Sequence, residues 1–194
     1  MRKSFFVAIA AITLAVLVFP EWSHAGGGPK DHTRFFLRLT AGGGYASSSD
    51  DETDVTGLAG DFTAAVGACV SENFALHATF FGWSQSNPDV EIANLGSGEL
   101  DGSYGMSGYG GGATYYFMPA NVYLSGSLGV GYLSIDTDFG DSTSDAGFAM
   151  DLSVGKEWWV GNSWGLGVAG AFGYFSIEDV SGYELALRFS ATFN

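Results

Sequence analysis

The stretch Tyr183-Glu184-Leu185-Ala186-Leu187-Arg188-Phe189-Ser190-Ala191-Thr192-Phe193-Asn194 alternates with period two from end to end. Tyr183, Leu185, Leu187, Phe189 and Phe193 share one side, and Glu184, Arg188, Ser190 and Thr192 share the other. Successive side chains point to opposite faces only in an extended strand, so the pattern predicts a strand over about 182–193. One face of that strand is continuous in large apolar groups. The other holds two charges among small hydroxyl residues.

Working outward from this segment, the same alternation recurs seven times, at about 34–46, 55–70, 74–85, 103–117, 122–136, 145–160 and 163–177. Phe35, Leu37, Leu39, Ala41 and Tyr45 oppose Phe36, Arg38, Thr40, Gly42 and Gly44. Trp164, Leu166, Val168, Phe172 and Tyr174 oppose Gly165, Gly167, Ala169 and Gly173. In a soluble sandwich the second face meets water and carries many Lys, Glu and Thr. Here it is mostly Gly, Ala and Ser, which suits the narrow interior of a small barrel. The expected fold is therefore all-β: an eight-stranded antiparallel up-and-down transmembrane barrel with its large side chains in hydrocarbon. The glycines 108, 110 and 112 are placed against Gly129 and Gly131. They leave interior room for Phe36, Phe81, Trp83 and Phe175.

The connections alternate in length. Residues 71–73, 118–121 and 161–162 read as tight turns, whereas 47–54, 86–102 and 137–144 are longer and 178–181 is short and acidic. Short periplasmic turns and longer external loops are the asymmetry of an outer-membrane barrel. Outward aromatic residues collect at both strand ends: Phe35, Phe74, Phe117, Trp158, Trp164 and Phe193 at one, Tyr45, Phe80, Tyr109, Tyr132, Phe148, Tyr174 and Tyr183 at the other. Two such girdles belong at two membrane–water interfaces.

The N-terminus reads as an export signal. Arg2 and Lys3 precede an apolar run from Phe5 to Phe19, then Pro20 and the small-x-small site Ser23-His24-Ala25. This divides the chain into a cleaved signal over 1–25, a short periplasmic leader over 26–33 and a barrel domain over 34–194. Removing residues 1–25 takes away Arg2, Lys3 and Glu21, leaving 5 Lys and Arg against 20 acids and a net charge of −15. So acidic a chain lacks the clustered cations that phosphate binding needs, which argues against nucleic acid. The one cysteine, Cys69, excludes a disulfide framework and a CxxC metal site, and is read as a small buried filler.

At this point the chain resembles the small outer-membrane β-barrel domain family of OmpA and OmpX type, over about residues 34–194. The resemblance rests most specifically on the last strand, whose alternating apolar residues lead to Phe189 and Phe193. In that family such an ending is the assembly signal read by the barrel-assembly machinery. Asn194 departs from the pattern, because the Phe usually ends the chain. The peptidoglycan-binding domain of OmpA is expected to be lacking. The resemblance further implies a monomer in contact with outer-membrane lipid and lipopolysaccharide.

Three constellations carry candidate chemistry. Arg38, Asp61, Asp151, Glu157, Glu184 and Arg188 point inward by parity. Ionised groups in a protein-lined space must pair, so a lumen charge network is expected, with a gated ion path as the rival reading. The loops hold 14 of the 20 acids. Asp136, Asp138, Asp141 and Asp145 are candidate divalent-cation contacts through carboxylate oxygen, although their spacing is not that of an EF-hand. Otherwise they are a solvated, mutually repelling surface. The mature chain has only His32 and His77. His77 faces the lumen and no His-x-Ser pattern follows it, so no enzyme activity is expected, and no cofactor. The favoured role is structural or surface-interacting. A narrow pore, a carrier of a small hydrophobic ligand and an exported soluble barrel of lipocalin type stay open as alternatives.

Overall fold

The computed structural model describes His32 and residues 35–93, 96–138 and 140–193. The proposed signal, the rest of the leader and Asn194 lie outside the described residues. Eight long strands dominate: β1 (Phe35–Ser49), β2 (Thr53–Ser71), β3 (Phe74–Ser86), β6 (Gly102–Phe117), β7 (Val122–Thr137), β9 (Gly147–Trp159), β10 (Trp164–Ile177) and β11 (Val180–Phe193). Each pairs antiparallel with its neighbour, and β1 pairs with β11 as well as with β2. The sheet is thereby closed, and the expected eight-stranded barrel is the observed one.

Three short strands were not foreseen: β4 (Asp89–Ile92), β5 (Gly96–Glu99) and β8 (Gly140–Thr143). The β4–β5 hairpin sits in the segment expected to be the second long loop and adds itself to the rim of β2, with Val55 opposite Val90. β8 folds back on β7. The first loop shrinks to residues 50–52, because β1 and β2 stay paired up to Ser49 and Asp54. These segments have too few apolar residues to show alternation, so pairing extended from the strands below decides their conformation. One end of the barrel thus carries a crown of short hairpins (the loop end). The other carries the tight turns (the turn end).

Outward, the barrel is apolar. Leu58 is 82% exposed and Phe189 75%. Tyr45, Tyr109, Tyr132, Tyr174 and Tyr183 each lie one outward position from a serine nearer the loop end: Ser47, Ser107, Ser134, Ser176 and Ser181. The apolar surface therefore stops at a ring of tyrosines. From Phe35 to Tyr45 is ten residues, about 33 Å along a strand and about 25 Å after a tilt of about 40°, the height of an outer-membrane hydrocarbon band.

Inward, backbones approach closely. The register puts Gly108 opposite Gly131 and Gly110 opposite Gly129. A Cβ on Gly110 would strike the backbone of Leu128, and one on Gly108 would come 3.0 Å from the Phe81 ring. The glycine row is what lets bulky residues from other strands fill the lumen. Phe36, Phe81, Tyr116, Tyr123, Phe175 and Ile177 are all sealed from solvent there. Cys69 is the exception to the expected packing. It is only half-buried, packed against the core cluster of Phe36 and Tyr116 where the β2–β3 register shifts.

Candidate functional site: filled lumen and loop-end cup

The lumen is filled in layers. At the turn end His32, expected in the short periplasmic leader, is fully buried. Its ring stacks on Tyr116 with centroids 3.4 Å apart, its Nε2 is 2.9 Å from Asn121 Oδ1, and its carbonyl accepts from Asn73 N. An imidazole among aromatic rings finds both stacking and hydrogen bonds here, which a short polar leader could not announce.

Above it, Arg38 lies 3.8 Å over the Tyr123 ring and donates from Nη2 to Tyr116 Oη at 2.7 Å. Its Nε is 3.4 Å from Glu157 Oε1. Glu157, 2% exposed, also accepts from Tyr116 Oη at 3.1 Å and from Thr192 Oγ1 at 2.6 Å. Arg38, Tyr116, Glu157 and Thr192 are thereby joined in one network, as a buried charge requires.

The second charge layer is built on Arg188, which donates to Asp61 Oδ2 and to Asp151 Oδ2, each at 2.6 Å, through Nη2. Its Nε and Nη1 reach the other oxygens of the same two carboxylates, so both pairings are two-pronged. Glu184 stands farther off, with Oε2 4.0 Å from Arg188 Nη2. Arg38 is opposite Thr192 and Gly42 is opposite Arg188, so four residues separate the layers. That is about 13 Å along the strands. The six inward charges therefore form two separate networks, Arg38–Glu157 and Arg188–Asp61–Asp151, with Glu184 at the edge of the second. His77, stacked on Phe36 with centroids 5.3 Å apart, shares hydrogen bonds with Thr79 and Thr114 at 2.7 and 3.0 Å and stays buried. Both of these side-chain partners are hydroxyls.

Above the charges lies an aromatic and aliphatic plug of Trp83, Tyr104, Met106, Phe175 and Ile177. Above the plug the crown encloses a cup of about 410 Å³. Its wall is apolar through Val55, Val90, Leu100, Leu133, Ile135 and Val180. Its rim carries Asp50, Glu178 and several hydroxyl groups. The alternation gave no sign of this cup, since its wall joins Val90 and Leu100 of the second long connection to Val55, Leu133, Ile135 and Val180 at the ends of three long strands. Val55 and Val90, opposite each other on one inner face, were the residues that could have signalled it.

The acidic residues stay on the crown. Asp136 and Asp141 face each other across β7 and β8, and Asp138 and Asp145 are exposed nearby. Asp54 is opposite Glu91, and Asp89 opposite Glu99. Among the described residues no three His, Cys, Asp or Glu are grouped as metal ligands. The loop-end segments 47–54, 86–102, 137–146 and 178–181 contain no Lys, Arg or His. On the outer face near the turn end, Lys156 is buried, with Nζ 5.9 Å from the Trp158 ring centre. Its outward parity gave no sign of that burial.

No protein-family model and no curated protein matches this sequence. Solved structures do. Ail, the attachment invasion locus protein of Yersinia pestis, in complex with the heparin analogue sucrose octasulfate, is similar at 12% identity and a TM-score of 0.53, covering 83% of this chain and all of Ail. Neisserial surface protein A is similar at 15% identity and 0.53, covering 79% of this chain and 95% of its own. The fold is that of the small eight-stranded outer-membrane barrels.

Proposed function

We propose that this chain is an integral outer-membrane protein whose barrel is a rigid, non-conducting, non-enzymatic stand for an acidic crown, with a surface-interaction role. The observation that carries the reading is the division of the molecule by height: apolar outside, packed within, acidic and free of cations at the loop end. Residues 1–25 export the chain, 26–33 form a leader, and the last strand with Phe189 and Phe193 is the segment the assembly machinery engages. Lipid and lipopolysaccharide solvate the tyrosine-bounded belt. Divalent cations gather around the crown, Asp136, Asp138, Asp141 and Asp145 included, as a screening cloud rather than at a fixed ligand set.

A pore needs an open lumen, and the stacked layers of Arg38, Arg188 and the aromatic plug leave none. Ail's ligand does not carry over, because a polyanion finds no cation on this crown. The favoured partner surface is basic.

Protease shaving of intact cells tests the orientation. Trypsin has no site on the crown, whereas a glutamate-specific protease has Glu91 and Glu99. Cleavage of intact cells by the second enzyme alone is expected. Cleavage at these sites only after the outer membrane is permeabilised would contradict the reading.

A further inference from the structure

We infer that the loop-end cup is a binding site for a small hydrophobic amine. The cup lies on the aqueous side of the tyrosine ring, yet its wall is apolar. Ile135 is 41% exposed there, facing the interior of the crown rather than lipid. Its volume, about 410 Å³, lies within the range of small-molecule sites. The floor is closed by the plug around Tyr104 and Leu133, so an occupant would be held rather than passed through.

The charge of the occupant follows from the rim. Asp50 and Glu178 line the cup, and no Lys, Arg or His does. Both carboxylates are held in place by backbone groups: Asp50 Oδ1 accepts from the amides of Glu52 and Thr53 at 2.8 and 2.7 Å, and Glu178 Oε1 accepts from the amide of Asp145 at 2.9 Å. An ammonium group has three donors and one positive charge to offer such a rim, while its ring or alkyl body covers the wall. An anion of the same shape meets two like charges and no donor side chain of opposite sign.

Phenethylamine and 3-phenylpropanoate test this, since both present a phenyl ring on a short chain but carry opposite charges. Each is titrated into the full barrel in nanodiscs, with methyl resonances of Leu133, Ile135 and Val180 as the reporters and Leu124 and Leu128 on the lipid face as controls. Saturable shifts of the cup methyls alone, with the amine alone, are expected. The double variant Asp50→Asn, Glu178→Gln keeps every acceptor named above and removes both charges, and should weaken amine binding about tenfold. Ile135→Asn, on an exposed wall, should weaken it too. Shifts absent from the cup, equal for the carboxylate, shared by the lipid-face methyls or unchanged in the double variant would each overturn the assignment. None of those results bears on membrane orientation, which the shaving experiment decides separately.

Discussion

Gly110 and Gly111 are adjacent in sequence and opposite in consequence. A Cβ at Gly110 would collide with the backbone of Leu128, whereas one at Gly111 would meet nothing within 4 Å. Gly110→Ala should therefore cost about 1–3 kcal/mol by forcing strands apart. Gly111→Ala should change stability by less than about 1 kcal/mol. Urea unfolding in lipid vesicles, followed by tryptophan fluorescence, measures both. Arg188 makes a second contrast. Arg188→Ala leaves Asp61 and Asp151 buried without their partner and should cost about 3–5 kcal/mol in the same assay. Glu184, at 4.0 Å from the guanidinium, contributes less, so Glu184→Gln should cost under about 1 kcal/mol. Parity in the sequence pointed these four charges inward, together with Arg38 and Glu157. It could not tell which would meet, because that depends on the stagger between strands. Nor could it bring His32 into the mouth of the barrel, since stacking on Tyr116 joins residues 84 apart in the chain.

At the scale of the element, the long strands were legible because their two faces differ in both size and polarity. The apolar face of β11 repeats over Tyr183, Leu185, Leu187, Phe189 and Phe193, and a one-residue slip would turn Arg188 into hydrocarbon. The glycines of β6 and β7 meet as expected at Gly108 with Gly131 and Gly110 with Gly129, whereas Gly112 meets Ser127. The hairpins β4–β5 and β8 were not legible, because they are mostly polar residues and glycine, and their pairing is inherited from β2 and β7. The solvent of each face can be read by arginine substitution. Phe189→Arg, near the middle of the belt, should cost about 2–4 kcal/mol, and Leu58→Arg, level with Tyr45 at the girdle, at most about 1 kcal/mol. An outer face in water would tolerate both within about 0.5 kcal/mol.

At the scale of the whole molecule, closure between β1 and β11 removes the free edges of the long strands that would otherwise template aggregation. It also confines six charges and a set of aromatic rings in one lumen. Their packing leads us to expect no discrete conductance steps in planar bilayers. Reproducible steps lost on blocking the crown would restore the pore reading. The central claim is that hydrocarbon solvates the belt between the turn-end aromatics and the tyrosine ring. Sedimentation velocity of purified residues 26–194, with and without surfactant, tests it most directly. The account predicts a folded monomer only where surfactant or lipid is present, and aggregation once it is removed. A folded, monodisperse monomer in plain buffer would contradict it.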